Sequence, residues 1–139
     1  MSPDFTTNAY EQAITVSPED IDFFEHVNNV VYLRWVQEVS TAHWCELASE
    51  QQREALGWVV VRHEIDYFAS AKLDDELIGR TWVGPAQKNL FERHVEILRA
   101  RDRKVLARAR SLWCPIDLRT HRPTRVPPDV HALFSAPAP

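Results

Sequence analysis

Apolar and polar positions follow two different periods along this chain, and the change between them outlines its architecture. Tyr10 to Val16 carries a weak strand pattern, broken at Ser17-Pro18-Glu19-Asp20 because proline fixes its own backbone and restricts the residue before it. From Asn29 to Leu47 the spacing predicts a helix. Tyr32, Val36, Val39 and His43 recur near helical intervals, flanked by Trp35 and Trp44, while Arg34, Gln37, Glu38 and Thr41 form a polar side. Asn28 or Asn29 suits the N-cap, and Arg34 and Glu38 are one turn apart and able to pair.

Beyond the polar stretch from Ser49 to Ala55 the period becomes two. Alternation predicts a strand with Val59, Val61, Ile65 and Tyr67 on one face and Arg62, Glu64 and Asp66 on the other. Strand-like segments follow at Glu76 to Gly84, Leu90 to Arg99 and Val105 to Cys114, with Arg101-Asp102-Arg103-Lys104 as a hairpin turn. The proline-rich tail from about residue 115 is expected to be irregular, with a helical turn at Asp129 to Phe134. One long apolar helix followed by an antiparallel meander is an α+β pattern in a single domain spanning 1–139. Its packing solution is a sheet curled around the helix.

Composition narrows the function classes. A net charge of −4 and a pI near 5.8 disfavour nucleic acid as a partner. With three glycines the chain lacks Gly-rich phosphate loops. Six of the twelve residues from Arg99 to Arg110 are Arg or Lys. They read as the solvated turn and outer face of a strand pair, and some are suited to the phosphates of an anionic ligand such as CoA. Cys45 and Cys114 form no C-x-x-C pair and are expected to be partly buried thiols in a reducing compartment. No signal peptide and no membrane-length apolar run is visible, which predicts a cytoplasmic protein without a membrane partner.

The stretch from Asp20 to Tyr32 carries the candidate chemistry. Asp20, Asp22, Glu25, His26, Asn28 and Asn29 are interleaved with Phe23, Phe24 and Val27 immediately before the helix. The apolar members predict a packed-down loop, and a carboxylate that loses water there becomes a stronger base or nucleophile. The helix start beside it offers unpaired N–H groups able to hold an oxyanion. Taken singly, Asp20 and Asp22 are better explained as turn formers, Asn28 and Asn29 as caps, and His26 as a structural histidine.

The string Asp20-x-Asp22-x-x-x-His26-Val27-Asn28-Asn29-x-x-Tyr32 resembles the signature of the hotdog-fold thioesterases. It is most similar to the 4-hydroxybenzoyl-CoA and acyl-CoA thioesterase group, and is also similar to the acyl-carrier-protein thioesterases. The likeness continues at Leu33-Arg34-Trp35 and Glu38, at Ile65-Asp66-Tyr67-Phe68 with Asp75-Glu76-Leu77, and at Trp113 to Asp117 with Arg122-Pro123 and Val126-Pro127. The resemblance implies a hotdog fold, a five-stranded antiparallel sheet around a central helix, working as a homodimer or homotetramer with sites at the subunit interface. It also implies hydrolysis of an acyl-CoA or related thioester, with no cofactor. The catalytic carboxylate falls on Asp22, as base or nucleophile, and the oxyanion amide at or near Asn29. The histidine of the carrier-protein group falls on His26. That group has an Asn where this chain has Phe24, and the family often has a Gly where this chain has Glu25. CoA is favoured as carrier because the chain has one hotdog unit.

Alternation turns His63 inward, where a core histidine with a hydrogen-bond partner is the simpler role. The six histidines show no H-x-x-x-H or H-E-x-x-H spacing, so no metal site is expected. Two other functions stay open on the same fold: a hydratase or dehydratase, against which the H-V-N-N string speaks, and a non-catalytic acyl-thioester-binding module, which Phe24 and Glu25 keep in view.

Overall fold

The computed structural model describes residues 9–87 and 89–135. The predicted helix, α1 (Asn29–Leu47), is present with the predicted bounds. Asn28 is its N-cap, accepting from the Val30 N–H at 3.2 Å. Its apolar stripe is the expected one: Tyr32, Trp35, Val36, Val39, His43 and Trp44 are all buried. The polar stretch after it folds into a short helix, α2 (Glu50–Ala55), because Ser49 and Gln52 close a reciprocal capping box.

The strands are β1 (Tyr10–Thr15), β2 (Leu56–Tyr67), β3 (Glu76–Gln87), β4 (Leu90–Arg99), β5 (Val105–Asp117) and the two-residue β6 (Arg122–Pro123). They form one antiparallel sheet in the order β1-β3-β4-β5-β2, with β6 against β5. The sheet curls around α1, as an α+β fold with a single long helix requires. Close approach shows at Gly79, where an added Cβ would lie 2.3 Å from Val39 Cγ2. The helical turn expected at Asp129 to Phe134 is present within α3 (Pro128–Ser135), which caps the far end of the sheet through Val130 and Phe134.

Two apolar clusters divide the interior. One, around the first half of α1, joins Val31, Tyr32, Trp35 and Val36 to Leu77, Val95, Ile97 and Leu106. The other, at the second half, joins Trp44 and Leu56 to Val83, Phe91, Val130 and Phe134.

Three expectations need correction. The pairing of β2 with β5 shifts register between Val60 and Arg62, so a bulge inverts the alternation. His63 and Ile65 turn inward as expected, but Val59 and Val61 are 51% and 56% exposed. Phe23 and Phe24 do not pack the loop down; they stand out at 96% and 76% exposure, and only Val27 is buried. Cys114 is buried, but Cys45 is exposed on α1.

Candidate active site

Residues 20–28 form a loop that closes on itself. A single 3-10 turn (Pro18–Asp20) leads into it, and Ile21 bridges Val27 in antiparallel fashion. Asn28 N–H donates to the Asp20 carbonyl at 2.9 Å, which sets the start of α1 beside the start of the loop. Val27 N–H donates to the Ala71 carbonyl at 2.9 Å, while Ala71 N–H donates to Tyr32 Oη at 2.9 Å, so loop, helix and the β2–β3 connection are fastened together. Burial raises the Tyr32 hydroxyl above its ordinary pKa, keeping it neutral.

The two aspartates have different surroundings. Asp20 is 2% exposed and accepts from Ser17 N–H and from Arg34 Nη2, both at 3.0 Å. Arg34 also reaches Glu38 at 3.3 Å, the expected one-turn pair. Asp20 is thus committed to anchoring the loop on α1. Asp22 is half-buried, and its Oδ1 accepts from Phe24 N–H at 2.9 Å and His26 N–H at 3.2 Å. Its Oδ2 makes no hydrogen bond among the described residues. One oxygen thus fixes the carboxylate in the loop.

Between Phe24 and His26 stands Glu25 with φ 64°, the left-handed region that favours glycine. The chain makes the tight turn with a glutamate. His26 exposes its imidazole and joins the loop by its backbone. Asn29, the first helical residue, is exposed; its N–H has no partner among the described residues, and its carbonyl accepts from Tyr67 Oη at 3.0 Å. Burial raises the pKa of the Tyr67 hydroxyl as well. The loop thus ties Asp22 to the backbone of His26 and, through Asn28, joins the start of α1, whose first residue is Asn29.

His63 lies outside it. Its Nδ1 is 2.6 Å from Ser111 Oγ and its Nε2 3.4 Å from Gln37 Nε2, and burial lowers its pKa, so it is a neutral packed histidine. The basic run is largely engaged with carboxylates: Arg108 and Arg80 hold Glu96 at 2.9 and 3.1 Å, Arg99 holds Asp102 at 2.7 Å, and Arg110 meets Glu92 and Glu64. Among the described residues no three His, Cys, Asp or Glu side chains are grouped to hold a metal ion, and no helix is long and apolar enough to cross a membrane.

Residues 16–134 match the family described as the Thioesterase-like superfamily. Among curated proteins none matches the chain by sequence. Solved structures share its fold. A 1,4-dihydroxy-2-naphthoyl-CoA thioesterase from Synechocystis superposes with a TM-score of 0.80 at 21% identity, covering 94% of this chain and 99% of that one. The probable thioesterase YbaW from Escherichia coli gives 0.77 at 22%, covering 93% and 98%. A Thermus thermophilus thioesterase complexed with coenzyme A and Zn gives 0.78 at 19%, covering 91% of each chain. These likenesses identify the curled sheet and central helix as the hotdog arrangement.

Proposed function

The chain belongs to the thioesterase-like superfamily, and from that premise we propose that it hydrolyses an acyl-CoA to the free acid and thiol, with Asp22 as the catalytic carboxylate. The observation that carries this reading is the division of labour between the aspartates. Asp20 is buried in an ion pair, whereas Asp22, in the loop that leads into α1, is fixed through one oxygen, the other making no hydrogen bond among the described residues.

In this mechanism Asp22 draws the proton from a water that attacks the thioester carbonyl, or attacks the carbonyl itself to form an anhydride that water then opens. The Asn29 N–H receives the oxyanion, reinforced by the positive end of the helix dipole. Collapse of the tetrahedral intermediate expels the thiolate, which takes up a proton. His26 helps to hold Asp22 through its backbone, and its exposed imidazole has no required proton transfer. Coenzyme A as carrier is supported by the relatives solved with it.

A dimeric or larger assembly belongs to the same proposal. β2 is an edge of the sheet, and Val59, Val61, Tyr67 and Phe68 are exposed along and just beyond it. Phe23, Phe24 and Val30 are exposed at the loop and helix start. Apolar side chains on an unpaired edge call for a covering strand, which a second copy supplies. The test of the activity is thiol release from short, long and aromatic acyl-CoAs. Turnover of at least one class is expected; binding of acyl-CoA without release of thiol would leave a non-catalytic module.

A further inference from the structure

At the opposite end of α1 lies a cavity of about 280 Å³ lined by Trp44, Trp58, Phe91, Trp113 and Phe134, with Thr41 and Arg53 at its exposed side. Asp22, His26 and Asn29 take no part in it. Thr41 is twelve residues along the helix from Asn29, roughly 18 Å at the α-helical rise. The apolar cluster around Tyr32, Trp35 and Val36 packs the first half of α1. The cavity is therefore a place distinct from the candidate active site.

Its polar lining is one-sided. Arg93, on β4, is 6% exposed and has no carboxylate within ion-pair distance among the described residues. Its Nη1 donates to His43 Nδ1 at 3.0 Å and to Thr81 Oγ1 at 2.9 Å, and its guanidinium lies over the Phe134 ring at 5.4 Å. Nε and Nη2 make no hydrogen bond among the described residues. A buried cation without a counter-ion is unusual because desolvation penalises it. The indole N–H groups of Trp58 and Trp113 are also buried without a partner among the described residues, and both residues line the same cavity. Buried donors normally find acceptors, so two unmet indole N–H groups and a guanidinium without a counter-ion around one hollow point to a ligand that brings acceptor oxygens and negative charge. The aromatic walls set the rest of its chemistry.

We propose that this cavity is a binding site for a small organic carboxylate, its apolar body between the aromatic rings and its carboxylate on Arg93, with the Trp58 and Trp113 N–H groups as further donors to ligand oxygens. The size suits a compact aromatic or short aliphatic acid, being near the lower end of small-molecule sites. The site does not depend on Asp22, so it stands or falls separately from the hydrolytic mechanism.

Titration calorimetry and thermal shift on the full chain test it, with phenylacetate and hexanoate as probes and phenylacetamide as the neutral match. The carboxylates should bind in the millimolar range or tighter and raise Tm, with phenylacetamide weaker by at least about tenfold. Arg93→Met should weaken phenylacetate by at least about tenfold and leave phenylacetamide unchanged. Trp58→Phe and Trp113→Phe keep an aromatic ring and remove one donor each, so they give a second reading if the Arg93 variant does not fold; each should weaken the acids severalfold. Asp22→Asn should bind as wild type does. Running the acid released from a hydrolysed thioester beside acids that are not released tells a product site from one for an unrelated acid. Equal affinity for acid and amide, unchanged binding in the folded Arg93 or both Trp variants, or no binding of either carboxylate at millimolar concentration would overturn the proposal.

Discussion

Asp22 N–H donates to the His26 carbonyl oxygen at 2.7 Å, and His26 N–H donates back to Asp22 Oδ1 at 3.2 Å. The pair closes the loop through backbone groups of His26, with its imidazole exposed. This geometry separates what the histidine backbone does from what its ring does.

His26→Gln keeps every one of those backbone contacts. Activity should stay within about tenfold of wild type, and the pH–rate profile should keep its shape. A loss of about a hundredfold with a changed pH–rate profile would instead make the imidazole an acid or base.

Glu25 occupies left-handed backbone space at φ 64°. Glycine adopts that conformation without the clash of a Cβ, so Glu25→Gly should be neutral or stabilising by up to about 1 kcal/mol, offset in part by the freer unfolded chain. Urea denaturation measures it; a loss of more than about 1 kcal/mol would mean that the Glu25 side chain supports the loop.

His43 supplies a pH dependence. Burial, with Arg93 adding to it, lowers its pKa to about 3 from an ordinary 6.5. The unfolded chain therefore takes up a proton on His43 below pH ~6.5, while the folded chain holds it neutral until about pH 3. Its contribution is fully present above pH ~6.5 and falls as pH drops, by about 1.4 kcal/mol per unit. Denaturation at pH 6.5 and pH 5 should differ by about 2 kcal/mol from this group, a difference that His43→Gln removes. An unchanged slope in the variant would assign the acid sensitivity elsewhere.

Assembly through the β2 edge is tested by light scattering. Wild type should have a mass at least twice 16.1 kDa at micromolar concentration, and Val61→Asp should shift it toward the monomer and lower activity. A fully active wild-type monomer would contradict a site completed between subunits.

Much of this was legible in the residues. The bounds of α1 follow from an apolar stripe that begins just after a good N-cap, so period and end signal agree. The roles of Asp20 and Asp22 are separated in space by Arg34, fourteen residues after Asp20, and a single string cannot show which aspartate it meets. One extra residue in β2 reverses its faces, and Val59-Val60-Val61 offers no mark of where the bulge falls. Phe23 and Phe24 suggested packing because apolar residues usually seek it, but the chain alone does not cover them. Arg93 did carry a signal. Period-two spacing puts it between Phe91 and Val95 on the inward face of β4, where a cation is out of place.

The most direct measurement is thiol release by Asp22→Asn beside Asp20→Ala, each with its urea stability. Asp22→Asn should fold like wild type and lose at least about a hundredfold in kcat, which is about 3 kcal/mol of barrier or more. Asp20→Ala should lose about 1–3 kcal/mol of stability, because it empties the buried side of the Arg34 pair. Near-wild-type kcat in the folded Asp22→Asn protein would contradict Asp22 as the catalytic carboxylate.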